Sequence, residues 1–330
     1  MKTKKLGGLS SMLGIIGAFL ILCIILTIAS ENFLTFSNLS SILKQTPFTA
    51  LIAIGMLFCL ITAGIDLSVG ANATFCACLM GMMLQRGITN SFVLIVVGIL
   101  AGVLVGLING TLLTRLHLPH PFVSTLGMKN VLWGAALVVT GSQMVGGFPE
   151  GVMWLGSAEV AGIPVSMILV IILYIILHIV LTRTTFGRSV YCAGGNMEAT
   201  RLSGINSANV LTACYVLSGF TAALAGIVSI GRSGICNGTN AIQPYDTDAI
   251  ASCVLGGASF MGGKGTVLGT MIGALIITTL RNGFSLLSIN TAVQNMVLGL
   301  VIILAVLLDV VREQMAARSR RLAAAAAAAK

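Results

Sequence analysis

Long apolar runs broken by short polar interruptions fill this chain, and the interruptions define its elements. The runs are Leu9 to Ala29, Pro47 to Ala63, Gly70 to Leu84, Ser91 to Leu113 and a stretch from Phe122 to about Thr140. They continue with Pro164 to Thr182, Ser207 to Ile230, Ala249 to Phe260, Thr266 to Leu280 and Ala292 to Leu308. An α-helix needs about 20 apolar residues to cross a hydrocarbon layer of ~30 Å. Lipid offers the backbone no hydrogen-bond partner, so each run must satisfy its own amides, which predicts helices. Short loops rich in Lys and Arg stay on the cytoplasmic side. Lys2, Lys4 and Lys5 precede the first run, and Arg312, Arg318, Arg320 and Arg321 follow the last. Both termini are therefore expected inside and the crossings must be even in number; counting Ala249 to Phe260 as one gives ten. The expected fold is all-α, a polytopic transmembrane helical bundle of about ten spans with broken or short helices, forming one domain over residues 1–330.

The polar segments differ in character. Glu31 to Thr46 places Phe33, Leu34, Phe36, Leu39, Ile42 and Leu43 at mostly helical spacing among polar residues, as an amphipathic piece in the outer interface would. Gly64-Ile65-Asp66-Leu67-Ser68-Val69-Gly70 breaks two apolar runs with an aspartate, a costly residue at membrane depth. Its position between two helices favours an N-cap for the second, with a substrate or ion contact or an ion pair as the other readings. The prolines of Leu118-Pro119-His120-Pro121 end one helix, and His117 and His120, flanking a proline, are interfacial. Lys129 either snorkels to the interface or meets a carboxylate in the bundle. Gly141 to Ile163 carries Glu150 and Glu159 and no Lys or Arg, the composition of an outer loop that a substrate-delivering protein would meet. His178 is a hydrogen-bonded helix residue, and Arg232, Tyr245, Asp246 and Asp248 belong to a second outer segment.

Arg183 to Ile205, RTTFGRSVYCAGGNMEATRLSGI, is the longest polar interruption, and its arginines Arg183, Arg188 and Arg201 place it inside. Asn196 can accept from the first-turn amides of a short helix over Met197 to Leu202, and Gly204 can end it. Such a helix, exposed between two spans, suits a groove on another protein; a plain topological loop is the other reading. Arg188, Asn196, Glu198 and Arg201 are the candidate contacts, with Gly194, Gly195 and Gly204 shaping the helix. Residues 312–330 form a basic, Ala-rich cytoplasmic tail to which no function attaches.

Composition agrees with a membrane protein: 57% hydrophobic, 8% charged, mean hydropathy +1.04. The net charge of +9 lies in loops and at span ends, which explains it by topology and not by nucleic acid. Eight cysteines sit mostly in apolar contexts as small core residues, and Cys76 and Cys78, two apart on a helix, do not share a face. Lys264 lies in a glycine-rich turn but is followed by Gly265, and Ala258 stands where a phosphate-binding loop needs glycine. No catalytic triad, metal helix or carboxylate pair is apparent, so the chain reads as a non-enzyme without a cofactor of its own.

Four segments resemble the ribose/xylose/galactose type permeases of ABC importers, a family akin to the branched-chain amino acid permeases. They are Gly64 to Gly70, Pro121 to Gly127, the Thr184 to Asn196 pattern T-x-x-G-R-x-x-Y-x-x-G-G-N, and Asp248 to Gly265; Glu198-Ala199 followed by Gly204 resembles, more loosely, the EAA motif of importer permeases. The resemblance implies a permease subunit of the bacterial cytoplasmic (inner) membrane that moves a sugar or sugar-like molecule. It implies partners as well: a second permease copy or paralogue, a substrate-binding protein outside, and an ABC ATP-binding subunit, carrying ATP and Mg, gripping the 183–205 loop. Asp66, Ser68, Gly64 and Gly70 would then mark the translocation path or helix break. An ion-coupled secondary transporter using Asp66, Lys129 or His178 is the alternative.

Overall fold

The computed structural model describes residues 2–116 and 118–328; His117 lies outside them. The helices are α1 (Lys2–Ala29), α2 (Phe36–Ile61), α3 (Val69–Gln85), α4 (Ser91–Thr114), α5 (Pro121–Thr140), α6 (Glu150–Ser157), α7 (Val165–Arg183), α8 (Thr185–Gly195), α9 (Met197–Leu202), α10 (Ser207–Ser233), α11 (Tyr245–Leu255), α12 (Val267–Leu286) and α13 (Thr291–Ala328). A 3-10 helix, Gly238–Ile242, precedes α11. Among the described residues, four two-residue strands form two antiparallel ribbons: β1 (Val145–Gly146) pairs with β4 (Ile235–Cys236), and β2 (Glu159–Val160) with β3 (Ile163–Pro164).

Among the described residues, six helices are long and apolar enough to cross a membrane: α2, α4, α5, α7, α10 and α12. Shorter apolar stretches occupy Leu13–Ala29, Val69–Gln85 and Thr291–Leu307. Of the segment counted as a crossing, Ala249 to Phe260, only Ala249 to Leu255 is helical, as the end of α11, whose 11 residues reach only about 16 Å at 1.5 Å each, short of the ~30 Å hydrocarbon layer. It does not cross by itself. The chain there descends as a ribbon strand, a 3-10 turn, α11 and a glycine turn.

Three further expectations change. Glu31 to Thr46 is not a separate interfacial piece from Phe36 onward, because α2 runs unbroken through Pro47, with Thr46 and Pro47 buried. Gly141 to Ile163 is not a bare loop; it holds α6 and the β2–β3 ribbon, and Lys44 pairs with Glu159 at 2.7 Å on an exposed flank. Asp246 and Asp248 are buried in the first turn of α11 rather than displayed in an outer segment.

The bundle is built around α2 and α10. Every residue of α2 from Ala50 to Ile61 is buried, so this helix is apolar all round, as a central helix must be. Along α10, small residues replace bulk where neighbours cross: Gly219 lies against the Gly102 backbone of α4, Gly226 against Ala73 of α3, and Gly106 of α4 against Tyr215. Hydrophobic burial does not drive helix association in lipid, so close backbone approach supplies the packing. A Cβ at Gly106 would enter the Tyr215 carbonyl, whereas one at Gly127 meets nothing. Gly106→Val should therefore destabilise the extracted protein by about 1–3 kcal/mol, and Gly127→Ala by less than about 0.5 kcal/mol, in thermal unfolding followed by size-exclusion fluorescence.

Candidate coupling site and translocation path

Residues 62–68 carry the chain from the end of α2 back into the bundle. Ala63 turns it at φ 58°, and the Gly64 amide donates to the Cys59 carbonyl at 2.8 Å. Asp66, 1% exposed, lies opposite the middle of α10. One carboxylate oxygen accepts from the Ser68 amide at 3.0 Å and the Ser68 hydroxyl at 2.6 Å, and the other from the Ser218 hydroxyl at 2.8 Å. Asn109 of α4 donates to the same Ser68 hydroxyl at 2.8 Å. The capping expectation is thus modified: Asp66 takes the amide of Ser68, the residue that precedes α3, and not the amides of the first turn. It also ties α3 to α10 and, through Ser68, to α4. Gly70 sits against the Tyr245 side chain with no room for a Cβ.

Two further carboxylates enter from α11. Asp248 holds Arg281 of α12 through two hydrogen bonds of 2.7 Å, and Lys129 of α5 reaches Asp246 at 2.8 Å, choosing the carboxylate over the interface. The second Asp246 oxygen has no partner among the described residues. His178 is not the hydrogen-bonded helix residue expected, because its buried Nδ1 lacks a partner among the described residues. His120 caps α5 through its ring, accepting from the Phe122 amide at 3.2 Å. Cys76 faces Asn72, and Cys78 lies on the ribbon side near Cys236; Cys192 departs from the core expectation and is exposed.

At the other end of the molecule Arg183 to Ile205 is mostly helix rather than loop. Thr184 caps α8 by accepting from the Gly187 amide, and Asn196 caps α9 by accepting from the Ala199 amide at 2.9 Å. Gly204, at φ 80°, ends α9. Glu198 and Arg201 join on the α9 surface with contacts of 2.7 and 3.1 Å; the hydrogen bonds and charge of Arg201 hold the Glu198 carboxyl below its ordinary range. Arg188 and Gly195 are exposed, and Leu202 is 76% exposed. Gly194 has a different duty from Gly195: it lies against the Ile61 carbonyl at the end of α2, with no space for a Cβ.

The same Ile61 carbonyl accepts from the Gly263 amide at 2.8 Å, and the Tyr191 hydroxyl of α8 donates to the Gly265 carbonyl at 2.7 Å. Three segments therefore meet at one junction: the end of α2, the end of α8 and the glycine turn between α11 and α12. Beside it a cleft of about 490 Å³ is bounded by Thr62, Gly64, Leu113, Pro121, Glu198 and Arg201. The structure thus brings Gly64 together with Glu198 and Arg201, and Asp66 together with Ser68. The motifs pointed to Asp66 and α9, but nothing in them identified Arg281, Asn109 or Ser218 as partners; only the reading of Lys129 against a carboxylate in the bundle pointed to one of the ion pairs.

Asp66→Ala strands the Ser68 amide and the Ser218 hydroxyl in the bundle and should cost about 2–5 kcal/mol, enough to lose folded protein. Asp66→Asn keeps an acceptor for Ser68 and a polar group facing Ser218. Its yield of monodisperse protein should recover most of the loss, and equal yields of the two variants would discard this account.

Residues 38–306 match the family described as branched-chain amino acid transport system / permease component. The ribose import permease protein RbsC of Bacillus subtilis (strain 168) is 40% identical over 320 residues, covering 94% of this chain and 98% of the relative. The D-allose transport system permease protein AlsC of Escherichia coli (strain K12) is 38% identical over 297 residues, covering 89% and 90%. The galactose/methyl galactoside import permease protein MglC of the same strain is 32% identical over 317 residues, covering 90% and 93%. No solved structure matches. With residues 38–306 matched by the family and a relative 40% identical over 94% of its length, this chain belongs to the branched-chain amino acid transport system / permease component family.

Proposed function

We propose that this chain is the membrane subunit of an ATP-driven importer that carries a monosaccharide such as ribose, allose or galactose across the bacterial inner membrane, with both termini inside. The observation that carries the reading is the α8–α9 pair: a capped, solvent-exposed helix anchored by Gly194 and Tyr191 to the end of α2 and the glycine turn. It supports docking by an ABC ATP-binding subunit, a separate chain that holds ATP and Mg. Arg188, Asn196, Glu198 and Arg201 would present charge and polarity to that subunit, and closure of two such subunits would drive α8 against α2. A second permease copy or paralogue and an external substrate-binding protein would complete the assembly. The ion-coupled alternative gains little support, since Lys129 is tied to Asp246 and Asp66 to three donors.

The test is reconstitution of the purified chain with its ATPase and binding protein in vesicles, scored by ATP-dependent uptake of each of the three sugars. Uptake driven by an ion gradient without ATP would replace the importer with the secondary transporter. Arg188→Glu and Leu202→Glu alter exposed side chains, so thermal stability should stay within about 0.5 kcal/mol. ATPase co-purification and ATP-driven uptake should each fall about tenfold, equivalent to ~1.4 kcal/mol of docking energy. Full uptake by both variants would remove the docking assignment.

A further inference from the structure

At the end of the bundle remote from α8 and α9, a cavity of about 140 Å³ lies between α2, α10, α11 and α12. The antiparallel run of α2 and α10, with Cys59 against Cys214 at one level and Ile61 at the coupling junction, puts Gln45 and Thr49 beside Ser229 and Arg232 far from that junction. Asn282 near the end of α12 donates to Asn38 near the start of α2, which places Thr278 and Arg281 at the same end. Four chain segments thus aim side chains into one small space.

The lining is unlike that of a lipid-facing crevice. Asp248 and Arg281 stand there as a doubly hydrogen-bonded pair, which offers donors and acceptors with no net charge. Such a pair survives at membrane depth beside a wet path or in a protein interior that compensates it. Thr49, Ser229 and Thr278 also line it. The side-chain amides of Gln45 and Gln243 make no hydrogen bond, and Arg232 no ion pair, among the described residues. Tyr245 and Phe48, with ring centroids 4.7 Å apart, supply an aromatic wall. A space of about 140 Å³, worth roughly five waters at ~30 Å³ each, is of the order of one sugar ring.

We infer that this cavity is a monosaccharide subsite within the single permease chain, in which Gln45, Gln243, Arg232 and the Asp248–Arg281 pair bind ring hydroxyls and Tyr245 packs against the ring. The inference rests on the importer reading above and specifies where the sugar pauses. Its chemistry is that of a neutral polyol: amides and hydroxyls that both give and take hydrogen bonds, a charge pair with no net charge, and one aromatic face.

Thr49→Cys and Ser229→Cys place reporters on two walls of the cavity. Each is made in the full complex in vesicles and labelled from outside with a membrane-impermeant maleimide, with the modified peptide identified by mass spectrometry. Whichever of D-ribose, D-allose and D-galactose the unsubstituted complex takes up should, at saturation with the binding protein present and ATP hydrolysis arrested, slow labelling of both cysteines about tenfold. Maltose, a disaccharide, should leave the rate unchanged. Cysteines that never label, or that label at the same rate with the transported sugar, while ATP-driven uptake of that sugar is intact, overturn the subsite and leave the importer standing. Absence of ATP-driven uptake in the unsubstituted complex removes the importer reading and the subsite with it.

Discussion

A carboxylate that leaves water must bring its donors with it, and this bundle is arranged around three that do. Asp66, Asp246 and Asp248 are each at most 5% exposed, and each draws a different helix toward the centre: α10 through Ser218, α5 through Lys129, α12 through Arg281. The cost of stripping water from such a group is several kcal/mol, so the partners are obligatory and not decorative. These contacts fix where the short elements stop. The chain after α2 cannot continue as helix because Asp66 must face Ser218, and α11 starts where its first turn can bring Asp246 and Asp248 to their cations.

How much of this was legible follows from the physics of each signal. Apolar runs bounded by Gly, Pro and charge reveal a helical membrane bundle because lipid forces backbone closure within each run. Asn196 and Gly204 were readable because a cap and a left-handed glycine are local chemistry. Pro47 was misleading: it suggested a helix start, yet α2 passes through it, since packing on both sides outweighs one missing amide. The partners of Asp246 and Asp248 were hidden because Lys129 and Arg281 lie 117 and 33 residues away, and no local rule relates positions so distant. The span count was open to the same error, since the apolar stretch Ala249 to Phe260 reads alike whether it crosses or returns.

Glycine carries two separate burdens that composition merges. Gly106, Gly219 and Gly226 remove bulk so that helices touch, while Gly204 and Gly262, at φ 80° and 79°, supply backbone turns that other residues resist. Gly194 and Gly195 are neighbours of identical chemistry with opposite tolerance: one lies against the Ile61 carbonyl and the other faces open space.

The proposed transport cycle acquires a mechanical basis from α2. Phe48, midway along this helix, lines the cavity, and Ile61 at its C-terminal end anchors α8 and the glycine turn. Thirteen residues at 1.5 Å each separate them by about 20 Å. The second connection runs in parallel: Tyr245 and Asp248 face the cavity at the start of α11, and the turn after α11 holds Ile61 and Tyr191. Two rigid struts thus join the same two places, and α2 is buried on all sides over most of that length. A packed helix of this kind shifts as a body rather than bending, because its neighbours leave no void for it to bend into. Force applied at α8 and α9 would therefore reach the cavity as a displacement of its walls, and the ion pairs at the start of α11 would set which wall positions are stable.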